Sequence, residues 1–126
     1  MRAVDTNVLL RLLVRDDLKQ AAAADQFISP GAWVSHLVLA ETIWVLESVY
    51  ARTAVQLAAA LEVLLAHESL ALQDADTVGA ALENFRRRAA PGFSDCLVLE
   101  IARKAGHSPL GTFDKKLAKL ARTLKL

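Results

Sequence analysis

Apolar positions along this chain recur at two spacings. Arg2 to Asp5 begins with a short apolar run that predicts a first strand, and Thr6-Asn7 opens a helix-like pattern through Leu9, Leu10, Leu13 and Val14. Asp16-Asp17 restarts a second helix through Ala21 to Phe27, which Ser29-Pro30-Gly31 ends before Trp33-Val34 reads as a second strand. Ser35 is placed to cap a long helix, His36 to about Tyr50, which is apolar nearly all round and therefore expected to be buried. Thr53 to His67 is another helix, with Leu57, Leu61 and Leu64 at helical spacing, and Leu70 to Leu72 reads as a third strand. Asp76 then caps a helix to Arg88, which Pro91-Gly92 breaks. Ser94-Asp95 caps the next helix, Gly106 ends it, Ser108 to Phe113 is extended, and a basic helix starts at Lys115.

Strands alternating with helices predict the α/β class, because each parallel crossover needs a connecting segment of a dozen residues or more. The 126 residues suit one domain, 1–126, with no repeat and no linker. The composition, 54% hydrophobic and 23% charged, is that of a globular chain with few breakers. Cys96 is the single cysteine, which excludes an internal disulfide and any multi-cysteine zinc site. Arg2, Asp5, Arg11 and Arg15 leave no apolar signal segment, and Glu41, Gln56 and Glu62 interrupt the most apolar stretches, so a cytoplasmic protein without a membrane span is expected. A formal net charge of +1 gives no global attraction to nucleic acid, so such a role must rest on local charge.

Four acids stand in unusual places. In a parallel sheet, ligands bind at the edge where strands end. Asp5 leaves the first strand and Asp114 follows Leu110-Gly111-Thr112-Phe113, so these two are expected at one sheet edge. Glu41 lies in the long apolar helix between Leu37-Val38 and Trp44-Val45, with no basic residue in local reach. Asp95 opens a helix, where capping is the ordinary role of a carboxylate, and the same holds for Asp5 and Asp114. If the four converge, each close pair of like charges costs on the order of 4 kcal/mol at an effective dielectric of 20. A hard divalent cation, Mg²⁺ or Mn²⁺, offsets that, prefers oxygen ligands and suits phosphodiester hydrolysis.

The segments "VDTNVLL" with Asp5, "LAETIWVL" with Glu41, "FSDCLVLEIARKAG" with Asp95 and "GTFDKKLAKL" with Asp114 resemble the PIN-domain nucleases, closest to VapC-type toxins of bacterial toxin-antitoxin pairs. The resemblance spans nearly the whole chain. It implies a PIN-like fold with a central, mainly parallel sheet of four or five short strands surrounded by helices. It implies an endoribonuclease in which Asp5, Glu41, Asp95 and Asp114 are the catalytic, metal-binding acids, Asn7 and Thr112 are supporting polar residues, and a metal-activated water attacks phosphorus. It also implies a cognate VapB-type antitoxin and a homodimer. Cys96 replaces the family's common small alanine, and Lys116-Leu117 stands where an acidic residue and phenylalanine are frequent. Neither change removes a ligand.

Lys115, Lys119 and Arg122 recur at i, i+4 and i+7 and form a candidate RNA phosphate grip, weighed against an ordinary solvated face. Arg11 and Arg15 are a second such pair. His36, His67 and His107 match no zinc spacing and are expected in surface or capping roles. Cys96 is expected small and half-buried, although a helix start lowers a thiol pKa. Trp33 and Trp44 read as core or interface anchors, not base-stacking platforms. Two rival functions compete with the nuclease. A phosphoryl-transfer α/β domain shares an aspartate after the first strand, but Asp5-Thr6-Asn7 lacks the second acid of a D-x-D motif. A noncatalytic PIN-like interaction module keeps the fold without the chemistry.

Overall fold

The computed structural model describes residues 1–87 and 90–126. The chain divides into two compact units, Met1–Ala75 and Asp76–Leu126. The first is built from β1 (Arg2–Ala3), α1 (Thr6–Val14), α2 (Leu18–Ile28), β2 (Ala32–Val34), α3 (His36–Ser48), α4 (Ala54–Ala66) and β3 (Leu70–Leu72). Its sheet has the order β1-β2-β3, all parallel, with Ala3 opposite Trp33 and Trp33 opposite Ala71. Each crossover uses two helices, and each helix start is fixed by a side chain that accepts an otherwise unpaired backbone N–H. Asp17 accepts from Gln20 N, Ser35 from Val38 N, and Thr53 from Gln56 N while the Gln56 side chain accepts from Thr53 N.

The core of this unit follows the helical spacing. Leu57, Leu61 and Leu64 of α4 are all buried, and each contributes roughly 1.5–3 kcal/mol through removal from water. Leu9 and Leu10 of α1 and Leu39, Ile43 and Leu46 of α3 are buried as well. Helix α3 departs from expectation. It is not buried all round: Leu37, Glu41, Trp44 and Ser48 lie at i, i+4, i+7 and i+11 on an exposed face. Apolar composition alone concealed the sidedness of this helix. Trp44 is 61% exposed and Trp33 39%, so neither is a core residue.

The second unit holds α5 (Ala75–Phe85, entered from the last residue of the first), α6 (Phe93–Lys104), β4 (Leu110–Thr112), a short 3₁₀ turn at Leu117–Lys119, and β5 (Thr123–Lys125). The expected helix end at Arg88 lies outside the described residues; the helix runs to Phe85. Gly106 adopts φ +86 beyond the end of α6, a left-handed conformation that glycine reaches without a Cβ penalty. Strands β4 and β5 pair in parallel, Leu110 opposite Thr123 and Thr112 opposite Lys125. The α/β class and the parallel pairing match the expectation, with five short strands among the described residues, divided between a three-stranded and a two-stranded sheet. The basic helix from Lys115 does not form. Asp114 starts only a 3₁₀ turn anchored by buried Leu117, Leu120 is extended, and the Thr123 hydroxyl donates to Leu120 O as the chain enters β5. A segment this short is marginal as a helix, and the alternating Thr123-Leu124-Lys125 supplies a partner for β4 instead. Asp5 follows a strand of the first unit's sheet, and Asp114 a strand of the second unit's.

Candidate active site

Asp5 and Glu41 belong to the first unit. Asp5 follows β1 in an extended conformation and caps α1, its Oδ1 accepting from Val8 N at 3.2 Å. That bond engages one carboxylate oxygen; the residue as a whole is exposed. Asn7 is exposed in the first turn of α1. Glu41 is also exposed, with no ion pair among the described residues, which corrects the expectation of a buried acid. The acid with a buried environment is Glu100, at 6% exposure, held by Arg103 Nε at 3.0 and 3.2 Å across one turn of α6. Sequence reading missed it, although an arginine three residues on was visible and is the signal of a paired structural carboxylate.

Asp95 and Asp114 belong to the second unit, and here the charge of one candidate acid acts on the other. The cap of α6 is Gly92, with no side-chain capping bond, so Asp95 sits inside the first turn and is not the cap. Desolvation by partial burial, and then the negative charge of Asp114, raise the Asp95 pKa above the ordinary carboxylate value. Asp114 is fixed from both sides: its backbone N–H donates to Thr112 Oγ1 at 3.0 Å, and its Oδ1 accepts from Leu117 N at 2.9 Å. Thr112 therefore orders the turn that presents Asp114. Cys96, next to Asp95, is fully buried, and burial together with Asp95 and Glu100 pushes its thiol up to about 11. The lowering expected from the helix start does not prevail, and at neutral pH the residue is a small apolar thiol.

The basic candidates fare differently. Arg11 donates from Nη1 to Asp16 at 2.9 Å and from Nη2 to the Tyr50 hydroxyl at 3.1 Å. Arg15 makes a two-pronged contact with Asp25 at 3.1 and 2.7 Å, which raises the arginine's pKa and lowers that of Asp25. Both guanidinium groups are thus partly occupied by acids. Lys115 and Lys119 are exposed, but without the helix they do not form a stripe with Arg122. His67 follows the last residue of α4 and accepts at Nδ1 from Ser69 N, a bond within the turn that leads to β3, and His107 is exposed.

Among the described residues no group of three or more His, Cys, Asp or Glu side chains is arranged to hold a metal ion. The Asp95–Asp114 pair nevertheless fits a hard cation in its chemistry. It offers oxygen donors, the adjacent sulfur is a protonated thiol, and the repulsion between the two carboxylates is what a divalent cation relieves. Mg²⁺ in particular is held through one or two carboxylates while keeping waters. The PIN domain family matches this chain over residues 2–123. No curated protein matches it.

Proposed function

This chain belongs to the PIN domain family, and from that premise we propose that it is a metal-dependent endoribonuclease toxin whose activity a cognate VapB-type antitoxin blocks. The observation that carries the reading is the Asp95 carboxyl: free of a capping bond, partly desolvated and repelled by Asp114. Functional sites are where such perturbed acids concentrate. Asp5 and Asp95 are the proposed principal ligands of Mg²⁺ or Mn²⁺, Asp114 completes the set, and Glu41 shares the ion or orients the attacking water. A divalent cation bound there lowers the pKa of water and neutralises charge on phosphate oxygens. The chain's own contribution is placement: the Val8 N–H orients Asp5, and Thr112 with Leu117 N–H orients Asp114. Asn7 supports the same reaction from the first turn of α1.

The reading includes a homodimer and an antitoxin segment. A mainly apolar groove of about 370 Å³, lined by Leu12, Leu13, Leu46 and the α4 residues Ala59, Ala60 and Val63 with Arg52 and Gln56 beside them, supports a partner helix, since amphipathic helices bury their apolar stripe in such grooves. No helix among the described residues is long and apolar enough to cross a membrane.

Cleavage of end-labelled total RNA with Mg²⁺ or Mn²⁺, beside EDTA and an identically prepared Asp95→Asn protein, tests the proposal. Discrete metal-dependent cuts lost in Asp95→Asn are expected. The second reading, a noncatalytic PIN-like module, draws on the lack of a three-acid metal cluster among the described residues. Equal behaviour of wild type and variant would favour it.

A further inference from the structure

Helices α1 and α2 flank an open groove of about 380 Å³ whose first wall begins two residues beyond Asp5. Its floor is apolar, made by Val8, Ala23 and Phe27, and its polar groups are Asn7 and Arg11 on α1 and Gln20 on α2. Among the described residues the Asn7 and Gln20 side-chain amides engage no hydrogen-bond partner. Arg11 is held in place by Asp16 and Tyr50. Behind Phe27 lies a second cavity, about 510 Å³, that shares Ala23 and Phe27 with the first and reaches Arg2. The Arg2 guanidinium lies 4.0 Å over the Phe27 ring and donates to Phe27 O at 2.8 Å. No carboxylate pairs with it among the described residues, so its remaining N–H groups and its charge face solvent.

We propose that the α1–α2 groove is a nucleobase subsite, which takes one base of single-stranded RNA against Phe27 and Ala23 while Arg2 meets a neighbouring phosphate. The proposal rests on the ribonuclease reading for its substrate class and adds the place where a base is held. An apolar floor with a few convergent polar groups is the general design of a small-molecule pocket, and the volume lies in that range. Two unengaged amides, each carrying a donor and an acceptor, match the edge of an unpaired base, which RNA-binding proteins read in single strands. A partner helix would want a continuous apolar stripe; the solvent-facing Arg2 charge at the adjoining cavity favours a base-bearing anionic strand instead. The free arginine supplies the opposite charge that the RNA backbone requires. Asn7 ties the subsite to the proposed reaction, because it shares the first turn of α1 with the cap made by Asp5.

The test is fluorescence anisotropy of a fluorescein-labelled single-stranded RNA decamer in EDTA, where no cleavage occurs, against the same decamer with its central bases removed. Wild type should bind the intact decamer about tenfold more tightly than the abasic one, the usual worth of a stacked base. Ala23→Trp fills the groove from an exposed helix position and should erase that preference, while Ala22→Leu, on the neighbouring exposed position outside the cavity, should keep it. Thermal melting checks that both variants fold; Gln20→Ala, which removes an amide without adding bulk, should reduce the preference if Ala23→Trp does not fold. A wild type without base preference, or an Ala23→Trp protein that retains it, overturns the proposal. Retained preference together with a changed oligomeric state by light scattering would assign the groove to a second copy of the chain. Metal-dependent cuts with no effect of Ala23→Trp would remove the subsite and leave the nuclease. Base preference without cleavage would do the reverse.

Discussion

Replacing Asp114 by Asn separates charge from structure at the candidate site. Asn caps about as well as Asp, so its side-chain oxygen retains the bond from Leu117 N and the 3₁₀ turn stays anchored. What disappears is the negative charge facing Asp95, the second of the two causes that raise the Asp95 pKa. The gain is small because Asp114 is exposed. Two unit charges 4 Å apart in water interact by about 1 kcal/mol, and salt screens exposed pairs further, so the metal-free variant should be more stable by less than about 1 kcal/mol. For a chain of this length that is a rise in Tm of at most about 4 °C. The sign follows from linkage. Asp95 binds its proton more readily folded than unfolded, so wild-type stability falls as pH rises from the ordinary value of 3.8 through the raised one. The variant's advantage should therefore be full at pH 7 and vanish below 3.8. Melting in EDTA at both pH values, with NMR titration of the Asp95 carboxyl carbon, measures this. The Asp95 pKa should move down without reaching the ordinary value, because desolvation, the larger cause, remains. A variant that melts lower than wild type in EDTA at pH 7, or an Asp95 titration that does not move, refutes the coupling.

Mg²⁺ should raise the Tm of wild type more than that of Asp114→Asn, since a ligand stabilises only the state it binds; equal shifts would count against a metal role for Asp114. Cys96 should resist alkylation by iodoacetamide at pH 8 until the protein is denatured, because the thiol is buried and titrates at about 11; rapid stoichiometric labelling of the native protein would contradict this. Leu61→Ala, at a fully buried position, should cost about 2–5 kcal/mol by urea unfolding. Trp44→Ala should cost less than about 1 kcal/mol because most of that side chain already faces water. A reversal of these two costs would return Trp44 to the core.

Local chemistry was legible wherever a single residue type settles a backbone question. Asp17, Ser35, Thr53 and Gly106 each mark a helix end because a side-chain acceptor or a left-handed glycine is what that end needs. The three strands of the first unit were equally readable as short apolar runs between breakers. Burial was not. Leu37 and Trp44 are apolar yet exposed, and Glu41 shares their face, because helix composition does not say which neighbour covers which side. The basic spacing of Lys115, Lys119 and Arg122 suggested a helix that tertiary pairing of β5 with β4 overrides. At the candidate site the sequence named the acids, while the uncapped state of Asp95 depends on Gly92 taking the cap two residues earlier than Ser94. The occupation of Arg11 and Arg15 by Asp16 and Asp25 likewise needed coordinates, since Asp25 is ten residues from its partner.

The order of strands in the first sheet, β1-β2-β3, is also their order along the chain. During synthesis each new strand finds its neighbour already made, and all three strands have been translated by Ala75. Asp95 follows Ala75 by twenty residues, about one to four seconds of elongation at about 5–20 residues per second. The ribosome therefore delivers the first unit, with Asp5 after β1 and Glu41 on α3, before it delivers Asp95 or Asp114. A nascent chain spends that interval without the acids on which the proposed hydrolysis depends, and translation itself becomes the timer of when the activity can begin.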